Sequence, residues 1–169
     1  MLIRPARAAD LGAVQDLWNA MIRDTTATFT SVEKTPDDLR ALLSARRDAL
    51  LVAEIDGVCA GFITWGPFRA GDGYVHTAEH SIITARPGLG TGRALLEAAM
   101  INARAQGIHV LVAGIGSENA PAIAFHRRMG FAIAGQVPQV GRKSGRWHDL
   151  ILMSLTLDPP LQTTPPALR

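Results

Sequence analysis

Between a β-branched segment and an amphipathic one, the chain runs Glu79-His80-Ser81-Ile82-Ile83-Thr84-Ala85-Arg86-Pro87-Gly88-Leu89-Gly90-Thr91-Gly92-Arg93-Ala94-Leu95-Leu96-Glu97. Ile82, Ile83 and Thr84 predict a strand, and Arg93 to Glu97 open a helix. Gly88, Gly90 and Gly92 strip side chains from the turn that joins them. Backbone N–H groups of a turn like this converge on an anion, with the positive end of the following helix dipole behind them. The loop Gly88-Leu89-Gly90-Thr91-Gly92 therefore suits a pyrophosphate, and Arg93 in the first helical turn adds a charge-assisted contact to it. The third glycine comes too early for the dinucleotide pattern G-x-G-x-x-G, and no Gly-Lys-Ser/Thr follows, which excludes a P-loop.

The remaining sequence narrows the classes available. At 169 residues, 47% hydrophobic and 19% charged, the chain is a globular domain able to bury a core without staples. Net charge is +2 and the basic residues form only pairs, such as Arg46-Arg47 and Arg127-Arg128, so no nucleic-acid face is indicated. Cys59 is the only cysteine, which excludes an internal disulfide and a thiolate zinc cluster, and no metal site is expected. No apolar run reaches membrane-spanning length and no signal-peptide core opens the chain, so a cytoplasmic protein without membrane contact is expected.

Taken in order, Leu2 to Ala6 reads as a strand. Asp10 then caps a helix bearing Leu11, Val14, Leu17, Trp18, Met21 and Ile22 at helical spacing, with Trp18 read as core. Residues 24 to 30 break the period around Phe29, which a loop presents or a connector buries. Thr35-Pro36-Asp37-Asp38 is a helix start, with Leu39, Leu42 and Leu43 facing inward. Leu50–Ile55 and Val58–Trp65 form a hairpin across Asp56-Gly57. Tyr74 to Thr84 is the strand before the glycine loop, whose helix runs to about Gln106. Ile108 to Ile115 is apolar enough for a strand covered on both faces. A helix from Asn119 to Met129 ends at Gly130. Phe131–Val137 and Trp147–Leu157 close the domain, with Gly141 to Gly145 as a loop between them. A Pro- and Thr-rich tail from Asp158 to Arg169 is expected to be disordered, which leaves one domain over residues 1–157. The order β-α-α-β-β-β-α-β-α-β-β is an α+β layout, a mixed, mostly antiparallel sheet flanked by helices.

Gly90-Thr91-Gly92 resembles the end of the Arg/Gln-x-x-Gly-x-Gly/Ala motif of the GNAT acetyltransferases, with Pro87 in the leading place and a shorter turn. The element order is also that of the GNAT fold. Five short segments are similar to one branch, the phosphinothricin and methionine sulfoximine/sulfone N-acetyltransferases. They are Gly66-Pro67-Phe68-Arg69, His76 to Ser81, Val112 to Ile115, Glu118-Asn119-Ala120, and Gly145 to Asp149.

The resemblance implies an acetyl-CoA-dependent N-acetyltransferase that moves an acetyl group directly to the α-amine of a small amino-acid analogue. Glu79 holds the place of the base, since an amine must lose a proton before it attacks a thioester. Ile82, Ile83 and Thr84 offer backbone to the thioester oxygen and the pantetheine arm. The loop from Gly88 to Arg93 takes the pyrophosphate, and Asn119 is a further cofactor contact as well as a helix cap. Tyr74, the only tyrosine, lies away from the family's acid position. His126, on the same helix face as Asn119, is left as the acid or as a packing residue. Arg69, Ala70 and Gly71 match substrate-contacting residues, with the arginine for a carboxylate, and Glu79, His80 and Ser81 adjoin them. His80 and Glu79 fall on opposite strand faces. Phe29 and Thr30 match a segment that in relatives reaches the partner's active site, which implies a homodimer. Two other readings stay open: a protein N-terminal or polyamine acetyltransferase, and an acyl-CoA-binding sensor without turnover.

Overall fold

Asp56 and Gly57 both take positive φ, 51° and 77°. Such a type I′ pair matches the twist of a hairpin, and it joins β2 (Leu50–Ile55) to β3 (Val58–Pro67). The computed structural model describes residues 1–157; the tail expected from Asp158 lies outside the described residues. The other elements are β1 (Leu2–Pro5), α1 (Leu11–Asp24), α2 (Pro36–Arg46), β4 (Thr77–Thr84), α3 (Thr91–Ala105), β5 (Val110–Gly116), α4 (Ala120–Arg128), β6 (Ala132–Lys143) and β7 (Arg146–Thr156). This is the element order read from the sequence.

The strands form one sheet in the order β1-β2-β3-β4-β5-β7-β6. Every neighbouring pair is antiparallel except β4–β5. The fold is α+β, with helices on both faces. On one face, Val14 and Leu11 of α1 and Leu39 of α2 bury against Leu50, Val52, Phe62 and Ile83. On the other, Leu95, Leu96, Ala99 and Ala103 of α3 close on Leu51, Ile63, Leu111 and Met153. β4 alternates between the two: Ala78, His80 and Ile82 turn to the α3 side, Glu79, Ser81 and Ile83 to the α1 side. No described helix is long and apolar enough to cross a membrane.

Local signals survive where nothing stronger competes. Thr35 caps α2 with a full capping box: its hydroxyl accepts from the Asp38 N–H (3.2 Å), and the Asp38 carboxylate accepts from the Thr35 N–H (2.8 Å). Asp10, expected to cap α1, does not. Its carboxylate takes both ends of the Arg4 guanidinium, at 2.7 and 2.8 Å, and the Arg7 N–H. A bidentate ion pair with arginine outbids a neutral cap bond. Residues 72–74 form a 3-10 turn, so β4 starts at Thr77 and not at Tyr74. Gly141 to Lys143, expected in a loop, belong to β6. Ser144 and Gly145, at φ 51° and 77°, make the whole turn.

Candidate active site

β4 and β5 run side by side for only three pairs, Thr77↔Val110, Ala78↔Leu111 and Glu79↔Val112, and then part. Each stays anchored on its outer side, β4 to β3 as far as Thr84 and β5 to β7 as far as Gly116. Beyond Glu79 two strand edges therefore face each other without pairing. The gap is a cleft of about 390 Å³. Its floor is Glu79 to Ile83 and Ala113 to Gly116; its sides include Trp18, Met21, Lys34, Asn119, His126 and Leu150. Free edges on both sides of a slot suit an extended ligand arm that pairs as an added strand would.

Glu79 sits at the point where the strands split. A Cβ on Gly114 would lie 2.7 Å from Glu79 Oε1, so only a glycine leaves the carboxylate its place. The side chain opens to the cleft, yet its walls withhold enough water to raise the carboxyl above the ordinary glutamate value. A carboxylate with raised proton affinity, at the head of a slot, can take a proton from a bound ammonium group. Ser81 lies on the same face and lines the same cleft.

His80 points to the opposite face, as strand alternation predicts, and is buried. Its Nε2 lies 3.0 Å from His126 Nε2, and His126 Nδ1 lies 2.8 Å from the Ala122 carbonyl. That carbonyl only accepts, so His126 carries its proton on Nδ1. Its bare Nε2 then accepts from the Nε2–H of His80. Both rings are neutral. Burial and the facing His126 push His80 down to about 3, the Val112 backbone opposing weakly, and burial pushes His126 down as well. His80 Nδ1 has no hydrogen-bond partner among the described residues. A neutral ring whose one proton is held by a helix carbonyl is a poor donor to a leaving group. The geometry thus favours packing over the acid role for His126.

The glycine turn joins β4 to α3 as expected, but the helix already begins at Thr91, so Gly92 stands in its first turn and not in the loop. Gly88 and Gly90 take φ of 87° and 76°, and Gly90 is the residue before α3. The first bond of the helix runs from the Ala94 N–H to the Gly90 carbonyl at 3.0 Å, which leaves the N–H groups of Thr91, Gly92 and Arg93 ahead of it. Thr91 is buried and its Oγ1 has no hydrogen-bond partner among the described residues. A Cβ on Gly92 would stand 3.5 Å from the Phe125 ring. An unpaired hydroxyl beside free N–H groups fits a phosphate-bearing ligand. Leu89 stands exposed on the loop. Arg93 pairs with Glu97 at 2.8 Å on the surface, one helical turn on, so a phosphate would have to draw it away. Across the cleft, Asn119 caps α4 by accepting from the Ala122 N–H (3.2 Å), a bond that uses Oδ1 and leaves its amide nitrogen available.

Phe29 and Thr30 line the cleft of their own chain, where Phe29 stacks on His148 with ring centroids 5.5 Å apart. Arg69, Ala70 and Gly71 do not line it. They border a neighbouring cavity of about 500 Å³ with Arg46, Trp65, Tyr74 and Gln106. The segment after β3 leaves the sheet at the start of β4, beside Phe68, whose ring the Arg69 guanidinium covers at 5.3 Å. Lys34 is the one Lys or Arg among the cleft residues. Its backbone is gripped by Asn19 and Gln15, and its ammonium lies 5.3 Å from the centre of the Trp18 ring. Trp18 is thus core on one side, against Phe62 at 5.1 Å, and cleft wall on the other. Sequence patterning carried no signal for Lys34, an isolated charge before a helix cap.

A family model described as an acetyltransferase (GNAT) domain matches residues 3–152. An L-methionine sulfoximine/L-methionine sulfone acetyltransferase of Pseudomonas paraeruginosa is 42% identical over 166 residues, covering 93% of this chain and 95% of its own. A phosphinothricin N-acetyltransferase of Streptomyces viridochromogenes is 37% identical over 154 residues, covering 88% and 83%. The structure of a Salmonella typhimurium protein described as an acetyltransferase, solved with its cofactor acetyl-CoA, matches with a TM-score of 0.90 and 39% identity over 99% of each chain.

Proposed function

Because this chain belongs to the GNAT acetyltransferase family, we propose that it moves the acetyl group of acetyl-CoA to the α-amine of a small amino-acid analogue. The acceptor is of the methionine sulfoximine, methionine sulfone or phosphinothricin type, the substrates for which its relatives are named. The observation that carries the reading is the parting of β4 and β5 at Glu79, with the glycine loop at the far end of β4.

Acetyl-CoA is the co-substrate. The loop from Gly88 to Arg93 and the start of α3 take its pyrophosphate, and the free edge of Ile82, Ile83 and Thr84 takes its extended arm, with Asn119 across the cleft. The thioester oxygen gains charge as the amine attacks, and an N–H of the same strand edge stabilises it. Glu79 removes the ammonium proton. The nitrogen then bonds to the carbonyl carbon, the carbon–sulfur bond breaks, and the thiolate takes a proton from water. Transfer is direct: Cys59 lies outside the cleft residues, and burial pushes its thiol up, away from the reactive thiolate. For the acceptor's carboxylate, Lys34 is the cation that lines the cleft as it stands. Arg69, matched to this role by resemblance, serves only if its loop turns in from the neighbouring cavity.

A cytoplasmic homodimer completes the reading. Exposed Ile133, Val137, Val140 and Trp147 on β6 and β7 support an apolar contact between copies.

The test is thiol release from acetyl-CoA against methionine sulfone, methionine sulfoximine, phosphinothricin, spermidine and a short peptide. Turnover confined to the first three amines is expected. Turnover of only the peptide or the polyamine would keep the chemistry and overturn the acceptor class. Silence across the panel with acetyl-CoA bound would favour a sensor.

A further inference from the structure

The end of β6 grips a loop far away in sequence. Lys143 is buried, and its ammonium donates to three backbone carbonyls, those of Ile22 (2.7 Å), Thr25 (2.7 Å) and Thr28 (2.9 Å). An ammonium has three donors and no acceptor, so these contacts use all of it. Ile22 stands in the last turn of α1, where helix carbonyls have no partner of their own. The neighbouring orphan, the Met21 carbonyl, is taken by the Thr25 hydroxyl at 2.7 Å. Lys143 therefore ends α1 and at the same time fixes the path of the chain after it.

The same hairpin seats the next residues. Gly141 and His148 are cross-strand partners, and Phe29 lies on that pair. A Cβ on Gly141 would overlap the Phe29 ring, and one on Gly116 would come within 3.5 Å of it. His148 is buried, its Nε2 directed at the Lys143 carbonyl (3.3 Å) and its Nδ1 towards Glu118, which also pairs with Arg146. With the carbonyls held by Lys143 and the ring held in this slot, Ala27, Thr28, Phe29 and Thr30 become one wall of the Glu79 cleft. Residues 25–30 form neither helix nor strand, so without these anchors they would have to be ordered when a ligand arrives.

We propose that Lys143 is a positioning residue for the acceptor: its ammonium holds the 25–30 loop in the shape that binds the amine. The proposal rests on the reading of the cleft as the acceptor site. Acetyl-CoA, bound along β4, the glycine loop and Asn119, does not depend on this wall.

The experiment compares Lys143→Gln and Lys143→Met with wild type. Thiol release is followed while acetyl-CoA and the best wild-type amine of the panel are varied in turn. A rise of about tenfold or more in KM for the amine, with KM for acetyl-CoA within about twofold, is expected. Glutamine keeps a donor and is the milder change, so it reports even where methionine leaves three buried carbonyls unpaired and unfolds the protein. The Phe29→Ala background supplies the second readout. If Lys143 acts through this loop, its replacement there adds little further to the amine KM. Unchanged amine KM in the folded Gln variant, an equal rise in both KM values, or effects that multiply with Phe29→Ala would each overturn the inference. Wild-type silence on the panel would instead overturn the acceptor reading and this inference with it.

Discussion

Glu79→Gln is expected to lower kcat/KM by about 10²- to 10⁴-fold at neutral pH, the usual worth of a positioned base. That is about 3–5 kcal/mol of transition-state stabilisation. Glutamine is nearly isosteric, fills the same space over Gly114, and cannot accept the proton. KM for acetyl-CoA should stay close to wild type, because the loss falls on proton removal. The pH profile gives an independent signature. A base works only as the carboxylate, so wild-type kcat/KM falls as pH drops through the Glu79 pKa. Partial burial raises that pKa, which moves this limb above the range of a free glutamate. In the Gln variant the limb disappears. Full activity in Glu79→Gln would remove Glu79 from the chemistry.

The second large effect belongs to Gly90. A Cβ there would meet nothing within 4 Å, so substitution creates no clash. The residue takes φ of 76°, however, a region that β-branched residues avoid at a cost of about 1–3 kcal/mol. Gly90→Val should therefore pull the turn out of shape and turn the N–H groups ahead of α3 away from their common focus. KM for acetyl-CoA is expected to rise by about 10- to 100-fold, with KM for the amine little changed. Gly90→Ala should show the same pattern more weakly. An acetyl-CoA KM that does not move would separate the loop from pyrophosphate binding.

The features that sequence reading could place are those made by neighbours in the chain. Asp56-Gly57, the Thr35 capping box and the glycine turn each carry their geometry in a few adjacent residues, and the fold uses all of them. The ones it misplaced depend on partners far away. Asp10 has the sequence of a cap, but the guanidinium of Arg4 on β1, which Glu54 of β2 also holds, takes its carboxylate. Gly141 to Lys143 looked like a loop because glycine and charged residues cluster there. In the fold Gly141 makes room for Phe29 and Lys143 points inward to α1. The parting of β4 and β5 is likewise a property of the sheet. Each strand keeps its outer partner, and no local pattern marks where the inner pairing stops. Glu79 could still be found, since it precedes the glycine loop on the same strand. Lys34 could not, because its place over Trp18 is set by Asn19 and Gln15 on a helix packed alongside. Arg69 was drawn towards Glu79 by likeness of motif, and the two border different cavities.

The most direct measurement is the initial-rate pattern with both substrates varied, using acetyl-CoA and the amine that the wild-type protein acetylates fastest. If the amine meets the thioester in the one slot between β4 and β5, both must be bound before any product leaves, and double-reciprocal lines will intersect. Parallel lines would mean that the acetyl group first moves to the protein and waits there, which would contradict direct transfer at Glu79.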